Sequence, residues 1–220
     1  MAGSLAAELA CAAMLFAWVL LVVMWATKRL YTWMRGRGLP HNVAIYYNRK
    51  VIHAATGGLV ALLLPYLFST PLLPFAFAMV LALLTYLPHR RGELLYWFQD
   101  PENIYEVHFC VMWGFSVLAC WLALGDPRYA VVPTAFMSFG DAATGVVRNL
   151  LYRRRTKAWA GNLAMAAVCA PIGYLIAGLA GLLAALAASI IEHFELGPLD
   201  DNVTVPLTAL VILLAARAVA

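Results

Sequence analysis

Long apolar runs separated by short polar segments organise the chain. A helix needs about 20 predominantly apolar residues to cross a bilayer. Runs of that kind fall near residues 5–27, 51–69, 71–88, 107–125, 129–150 and 203–219. Another apolar stretch, 162–192, is too long for one straight span. Pro171, Gly173, Gly178 and Gly181 supply break points inside it, so the pattern predicts two spans, 162–177 and 178–192. The expected fold is all-α: one polytopic membrane domain over 1–220 with about eight transmembrane helices, or seven if 162–192 stays a single span.

Composition narrows the class. Hydrophobic residues make up 64% of the 220 and charged residues 12%, whereas a soluble domain is nearer one half and one quarter. An ordinary soluble domain, a disordered chain and a disulfide-stapled secreted module are all excluded. Cys11, Cys110, Cys120 and Cys169 sit in apolar stretches with no CxxC or zinc spacing, and read as free thiols in helices. The N-terminus lacks a basic region before its apolar run, so it reads as a retained first helix rather than a cleaved signal.

Charge orients the spans. With eight spans and the N-terminus outside, the segments 28–50, 89–106, 151–161 and 193–202 fall on the cytoplasmic side. They and their edges hold Lys28, Arg29, Arg35, Arg37, Arg49, Lys50, Arg90, Arg91, Arg148, Arg153, Arg154, Arg155 and Lys157, leaving only Arg128 and Arg217 elsewhere. That is the distribution the positive-inside rule demands. The formal charge of +4 therefore follows topology and is no sign of nucleic-acid binding. A prokaryotic source would put the protein in the cell membrane, and a eukaryotic one in the endoplasmic reticulum.

Polar residues inside or beside spans are the functional candidates, since a charge at a helix centre costs about 2.5–3.5 kcal/mol. Asp141 is the sharpest case, set among Gly140, Ala142, Ala143, Thr144 and Gly145. Small neighbours permit close approach of backbones or of a ligand's phosphates. A packing reading pairs Asp141 with Arg148, the nearest cation in sequence, two turns away. Arg148, Arg153, Arg154, Arg155 and Lys157 would serve topology or lipid headgroups when taken alone. Beside an intramembrane Asp they could neutralise a polyphosphate.

The segment 192–202 places Glu192, Glu195, Asp200 and Asp201 on the same side. Oxygens beside a basic loop suit Mg²⁺ held jointly by carboxylates and phosphates, or else a solvated loop with Asp201 or Asn202 as an N-cap. Arg49 and His53, four apart, share one helix face. In the loop 89–106 and just after it, Glu102, Glu106 and His108 could add ligands. No P-loop, GxSxG, HExxH, Rossmann or protein-kinase motif is present. Neither are the paired broken segments of inverted-repeat transporters.

Three ordered segments carry a resemblance. Arg49-Lys50-Val51-Ile52-His53 is similar to R-K-x-x-H at a helix start. Gly140-Asp141-Ala142-Ala143-Thr144, then Lys157-Ala158-Trp159-Ala160-Gly161-Asn162, is similar to G-D-x-x-A followed by K-[ST]-x-E-G-[ST]. Glu192, then Asp201-Asn202-Val203-Thr204-Val205-Pro206, is similar to an acidic residue followed by D-N-x-T-V-P. Together these resemble the membrane-embedded CTP-dependent lipid kinases: the dolichol kinase, phytol kinase and yeast-type diacylglycerol kinase group, distant relatives of the phosphatidate cytidylyltransferases. The matches run from 49 to 206. Ala160 stands where the family has Glu, Asn162 where it has Ser or Thr, and Arg148-Asn149 where it has Gly-Arg.

The resemblance implies an enzyme, a CTP-dependent polyprenol (dolichol-type) kinase. It would transfer the γ-phosphoryl group to the hydroxyl of a membrane isoprenoid alcohol, with the site facing the cytoplasm. It implies Asp141, Lys157 and Asp201 as catalytic residues, with Asp141, Glu192 and Asp201 on Mg²⁺ or another divalent cation. Arg49, His53, Gly140, Arg148, Lys157, Gly161, Asn162 and Asn202 would bind the nucleotide. The expected partners are CTP and the lipid alcohol in the bilayer, with no nucleic acid; an oligomer is compatible. The enzyme alternative is a CTP:lipid-phosphate cytidylyltransferase, and the alternative from another class is a transporter or membrane scaffold.

Overall fold

The computed structural model describes residues 4–152, 156–194 and 199–219. Arg153, Arg154, Arg155 and Glu195 lie outside the described residues. Among those described there is no strand, and seven continuous helices are long and apolar enough to cross a membrane. They are α1 (Leu5–Gly36), α2 (His41–Leu67), α3 (Leu72–Arg91), α4 (Tyr105–Leu124), α5 (Pro127–Tyr152), α6 (Trp159–Glu192) and α7 (Asp201–Val219). The chain is an all-α, multi-pass membrane protein.

The predicted break in the longest apolar stretch is present. At Ala177 and Gly178 the backbone leaves helical geometry, reaching φ 56°, ψ −136° at Gly178, a conformation that glycine adopts without a Cβ clash. Across the turn, Gly173 and Gly181 meet so closely that a Cβ on either would overlap the other's carbonyl. Near the far end, Asn162 Nδ2 donates to the Ser189 carbonyl and Ser189 Oγ to the Asn162 carbonyl, each at 2.5 Å. Helix α6 is thus a hairpin of two antiparallel arms, and the seven continuous helices make eight passes through the bundle.

The expected loop 28–50 is mostly helix. Helix α1 continues to Gly36 and α2 starts at His41, leaving 37–40 as the connection. Hydropathy reports where a helix leaves the apolar layer, not where it stops. Beyond that layer the backbone bonds stay satisfied, and cations lie over aromatic faces: Arg29 over Trp25 and Arg37 over Trp33, both at 4.3 Å, and Lys28 over Trp97 at 5.1 Å.

Burial ranks the helices. In α5, 72% of the most apolar window is buried, against 11% in α1; α5 is the axis and α1 lies outermost. Helices α2 and α5 each contain a π-helical turn, His53–Gly58 and Phe136–Gly140. Such turns recur at functional sites. The two turns pack together, with Gly57 against Ser138 Oγ and Gly58 against the Phe139 ring. This contact sets the start of one turn, His53, opposite the residue after the other, Asp141. At the opposite end of the bundle Glu8 Oε1 accepts from Ser69 N (3.1 Å) and Ser69 Oγ (2.5 Å), tying α1 to the α2–α3 connection.

Candidate functional site

Two buried carboxylates organise the polar end of the bundle. Asp141, 3% exposed, is held from α2: Lys50 Nζ donates to Oδ1 at 2.5 Å, and His53 Nδ1 lies 2.7 Å from Oδ2. Its partners are thus Lys50 and His53, not Arg148. Lys50 and His53 lie three apart, hence on one helix face, and His53 stacks on Phe109 of α4 with centroids 4.0 Å apart. Gly145, one turn after Asp141, leaves the path open. A Cβ there would strike Lys50 Cε and come within 2.9 Å of Tyr46 Oη.

Arg148 belongs to the second carboxylate. Its Nη1 and Nη2 grip Glu192 Oε1 and Oε2 at 2.8 and 2.7 Å, a bidentate pair. Nη2 also donates to Asn162 Oδ1 at 2.9 Å and Nε to the Ala158 carbonyl at 3.0 Å. Lys157 Nζ adds bonds to Glu192 Oε1 (3.0 Å) and the Glu192 carbonyl (2.8 Å), and Asn162 Nδ2 a contact to Oε2 (3.1 Å). Glu192 is therefore the buried last residue of α6 rather than part of a solvated loop. Gly161 lets the guanidinium pass, since a Cβ there would overlap Arg148.

Between these clusters lies a polar cavity of about 240 Å³. Arg49, Lys50, His53, Asp141, Arg148, Lys157, Glu192, Asp201 and Asn202 all line it, so nine of the sequence candidates and their neighbours converge. Gly140, Gly161 and Asn162 are not in its wall. Gly140 packs against Cys169 and Met165, and Asn162 fastens the α6 hairpin. The cavity also takes in Tyr46, Tyr105, His108 and Asp200, which motif reading passed over or left unassigned. His108 Nδ1 lies 3.0 Å from Asp200 Oδ2.

Electrostatics at the rim follow burial and neighbours. Burial pushes the Asp200 carboxyl above the usual range, with the nearby Asp201 charge acting in the same direction. Burial alone would lower Lys157, but Asp201, 3.6 Å away, and Glu192 outweigh it and hold its ammonium above the usual value. Arg49 is the least committed cation described in the wall. Its guanidinium lies 4.8 Å from the Tyr105 ring centroid, and its buried Nη1 has no protein hydrogen-bond partner.

Asp141, Glu192 and Asp201 do not converge as one metal-binding group. Among the described residues no three His, Cys, Asp or Glu side chains do. Asp141 and Glu192 are each already neutralised by basic side chains. A smaller oxygen set is left without protein partners. Asp200 Oδ1 and the 3%-exposed Asn202 Oδ1 are buried without a protein partner beside Asp201. Mg²⁺ commonly takes one or two carboxylates and completes its shell with phosphates and water.

A second cavity, about 550 Å³ and almost wholly apolar, lies between α1, α2, α3 and α4. Arg49 and His53 line both cavities. The first turns of α4 divide them, with Tyr105 and His108 on the polar side and Glu106, Phe109 and Cys110 on the apolar side. No family model, curated protein or solved structure matches the chain.

Proposed function

We propose that this protein is a CTP-dependent kinase of a membrane isoprenoid alcohol, working at the polar end of the bundle on the cytoplasmic side. The observation that carries the reading is the junction of the two cavities. A cation-rich polar pocket and an apolar pocket of hydrocarbon dimensions meet at Arg49 and His53. A phosphate donor and a lipid acceptor need that arrangement. At about 240 Å³ the polar pocket lies below the size that encloses a whole drug-sized ligand. It suits the triphosphate, with the nucleoside at its rim.

The reaction forms a bond from the alcohol oxygen to the γ-phosphorus and breaks the bond from that phosphorus to the β-phosphate oxygen, releasing CDP. The hydroxyl proton passes to an acceptor at the junction. Such transfers depend on positioning and charge neutralisation. Arg49 and Lys50 would take up phosphate charge, and Asp141 holds Lys50 and His53 by one contact on each oxygen. Asp201 and Asn202, with Asp200, are the residues that would hold Mg²⁺, which when bound neutralises charge on the transferring phosphates. Glu192 keeps Arg148 and Lys157 in the cavity wall.

The test uses purified protein in detergent with Mg²⁺ and a pool of dolichol, polyprenol, phytol, diacylglycerol and phosphatidate. CTP carries label at either the α or the γ phosphorus. Label from γ entering the organic phase supports the kinase and identifies the alcohol. Label from α assigns cytidylyl transfer instead. No transfer from CTP, ATP, GTP or UTP overturns the reading.

A further inference from the structure

The apolar cavity contains one group that phosphate handling does not use. Glu106, in the first turn of α4, is 7% exposed and lines this cavity. Its Oε1 accepts from Gln99 Nε2 at 2.7 Å and lies 2.5 Å from His89 Nε2. Gln99 in turn donates to the Thr85 carbonyl at 2.8 Å and accepts from Leu95 N at 2.8 Å. One oxygen is thus anchored by a connected network across α3, the 92–104 connection and α4. The other, Oε2, is buried with no protein partner. A buried acceptor left unpaired forfeits its hydration, and a donor arriving with a ligand would restore that loss.

The surroundings select the donor. Arg49 lines the same cavity, so an ammonium head would meet a guanidinium, and a carboxylate or phosphate head would meet Glu106. A neutral hydroxyl meets neither penalty. The remaining wall is hydrocarbon and opens towards lipid: Leu20 and Met24 of α1 and Leu84 of α3 line the cavity and are 39%, 46% and 44% exposed. A single apolar chain can enter there from the bilayer.

We infer that this cavity binds a single-chain lipid alcohol, with its hydroxyl donating to Glu106 Oε2 and its chain leaving between α1 and α3. That this alcohol is the phosphoryl acceptor rests on the kinase reading; the binding itself needs no nucleotide.

The test is nucleotide-free binding of radiolabelled geranylgeraniol and of its hydrocarbon analogue lacking the hydroxyl, to the full chain in nanodiscs. The wild type should prefer the alcohol by about tenfold or more, the worth of a hydrogen bond to a carboxylate. Glu106→Gln keeps an oxygen for Gln99 but replaces the unpartnered oxygen with an NH₂ group. It should erase the preference while hydrocarbon binding holds. Glu106→Asp, which withdraws the carboxyl and keeps its charge, should reduce the preference and serves if the amide variant misfolds. Val19→Trp, which fills the cavity from α1, should abolish binding of both probes. No preference in the wild type, or a preference unchanged in the Glu106 variants, overturns the inference. Phosphorylation of an alcohol by a chain whose Glu106 variants keep the preference would leave the kinase standing without this site. A lost preference with no transfer from any nucleotide would do the reverse.

Discussion

Asp141 and Glu192 are both buried carboxylates facing basic side chains, yet they are held in different ways. Glu192 accepts from Arg148, Lys157 and Asn162, and both of its oxygens are occupied. The pairs link α5 to the two arms of α6, and Glu192 reads as a lock on the hairpin. Asp141 takes one contact on each oxygen, both from α2; His53 lines both cavities and Lys50 the polar one. The contrast teaches that burial and charge alone do not mark a reactive site. What separates the two is how the partners are arranged: Arg148 and Lys157 converge on Glu192 and line the polar cavity alone, whereas His53, on Asp141, lines both cavities.

The largest expected effect breaks the lock. Glu192→Ala strips the buried Arg148 of its counter-charge and leaves Lys157 with Asp201 alone, and should cost about 3–5 kcal/mol. Its signature is loss of monodisperse protein in size exclusion after heating, at a temperature the wild type survives. Asp141→Asn should instead lower γ-phosphoryl transfer by about a hundredfold or more while the protein stays folded, because the amide fills the same space and keeps one oxygen to accept from Lys50. Thermal unfolding and transfer assays on the same preparation check both halves. Wild-type turnover in that variant would remove Asp141 from the centre of the site. A melting loss as large as that of Glu192→Ala would erase the contrast.

Gly145→Ala sharpens the comparison further. Its Cβ would displace Lys50 from its path to Asp141, so the Michaelis constant for CTP should rise by about tenfold, roughly one lost charge-assisted hydrogen bond, with little change in melting. The smallest effect is at the opposite end, where Asp126 caps α5 and pairs with the largely exposed Arg128 at 2.6 Å. The hydrogen bond from Arg128 holds the Asp126 carboxyl below its usual range. A depressed carboxyl stabilises the fold above its unfolded value and loses that contribution as pH falls through the folded one. Asp126→Asn, which keeps the cap, should therefore lower the melting temperature slightly at neutral pH. The gap should close in acid melts taken below the ordinary Asp value of about 3.9. An exposed pair of this kind contributes little, because solvent screens it, and that sets the baseline against which Glu192 is judged.

Much of the fold was legible in the chain itself. The apolar runs located every helix, and Gly178 marked the turn of α6. The clustering of Arg49, His53, Asp141, Arg148, Lys157, Glu192, Asp201 and Asn202 at one end follows from the parity of the spans. Lys50 was visible but undervalued: its three-residue spacing from His53 and the small residue at Gly145 were the available signals. Glu106 carried no local signal beyond being an acid at the start of an apolar helix. Helix ends near 28–50 were misplaced because hydropathy measures solvent preference, not backbone hydrogen bonding.

Span positions, the polar end and the hairpin break are local or additive properties, set by side-chain transfer free energy and by glycine's freedom at one residue, so the sequence by itself determined them. Partner choice is not local. Lys50 and Asp141 are 91 residues apart, His53 and Asp141 88, and Arg148 and Glu192 44. Each carboxylate took the cation that helix packing brought to it rather than the nearest in sequence. The two cavities, their junction at Arg49 and His53, and the bare oxygen of Glu106 exist only where separate helices meet, and those the tertiary structure alone decided.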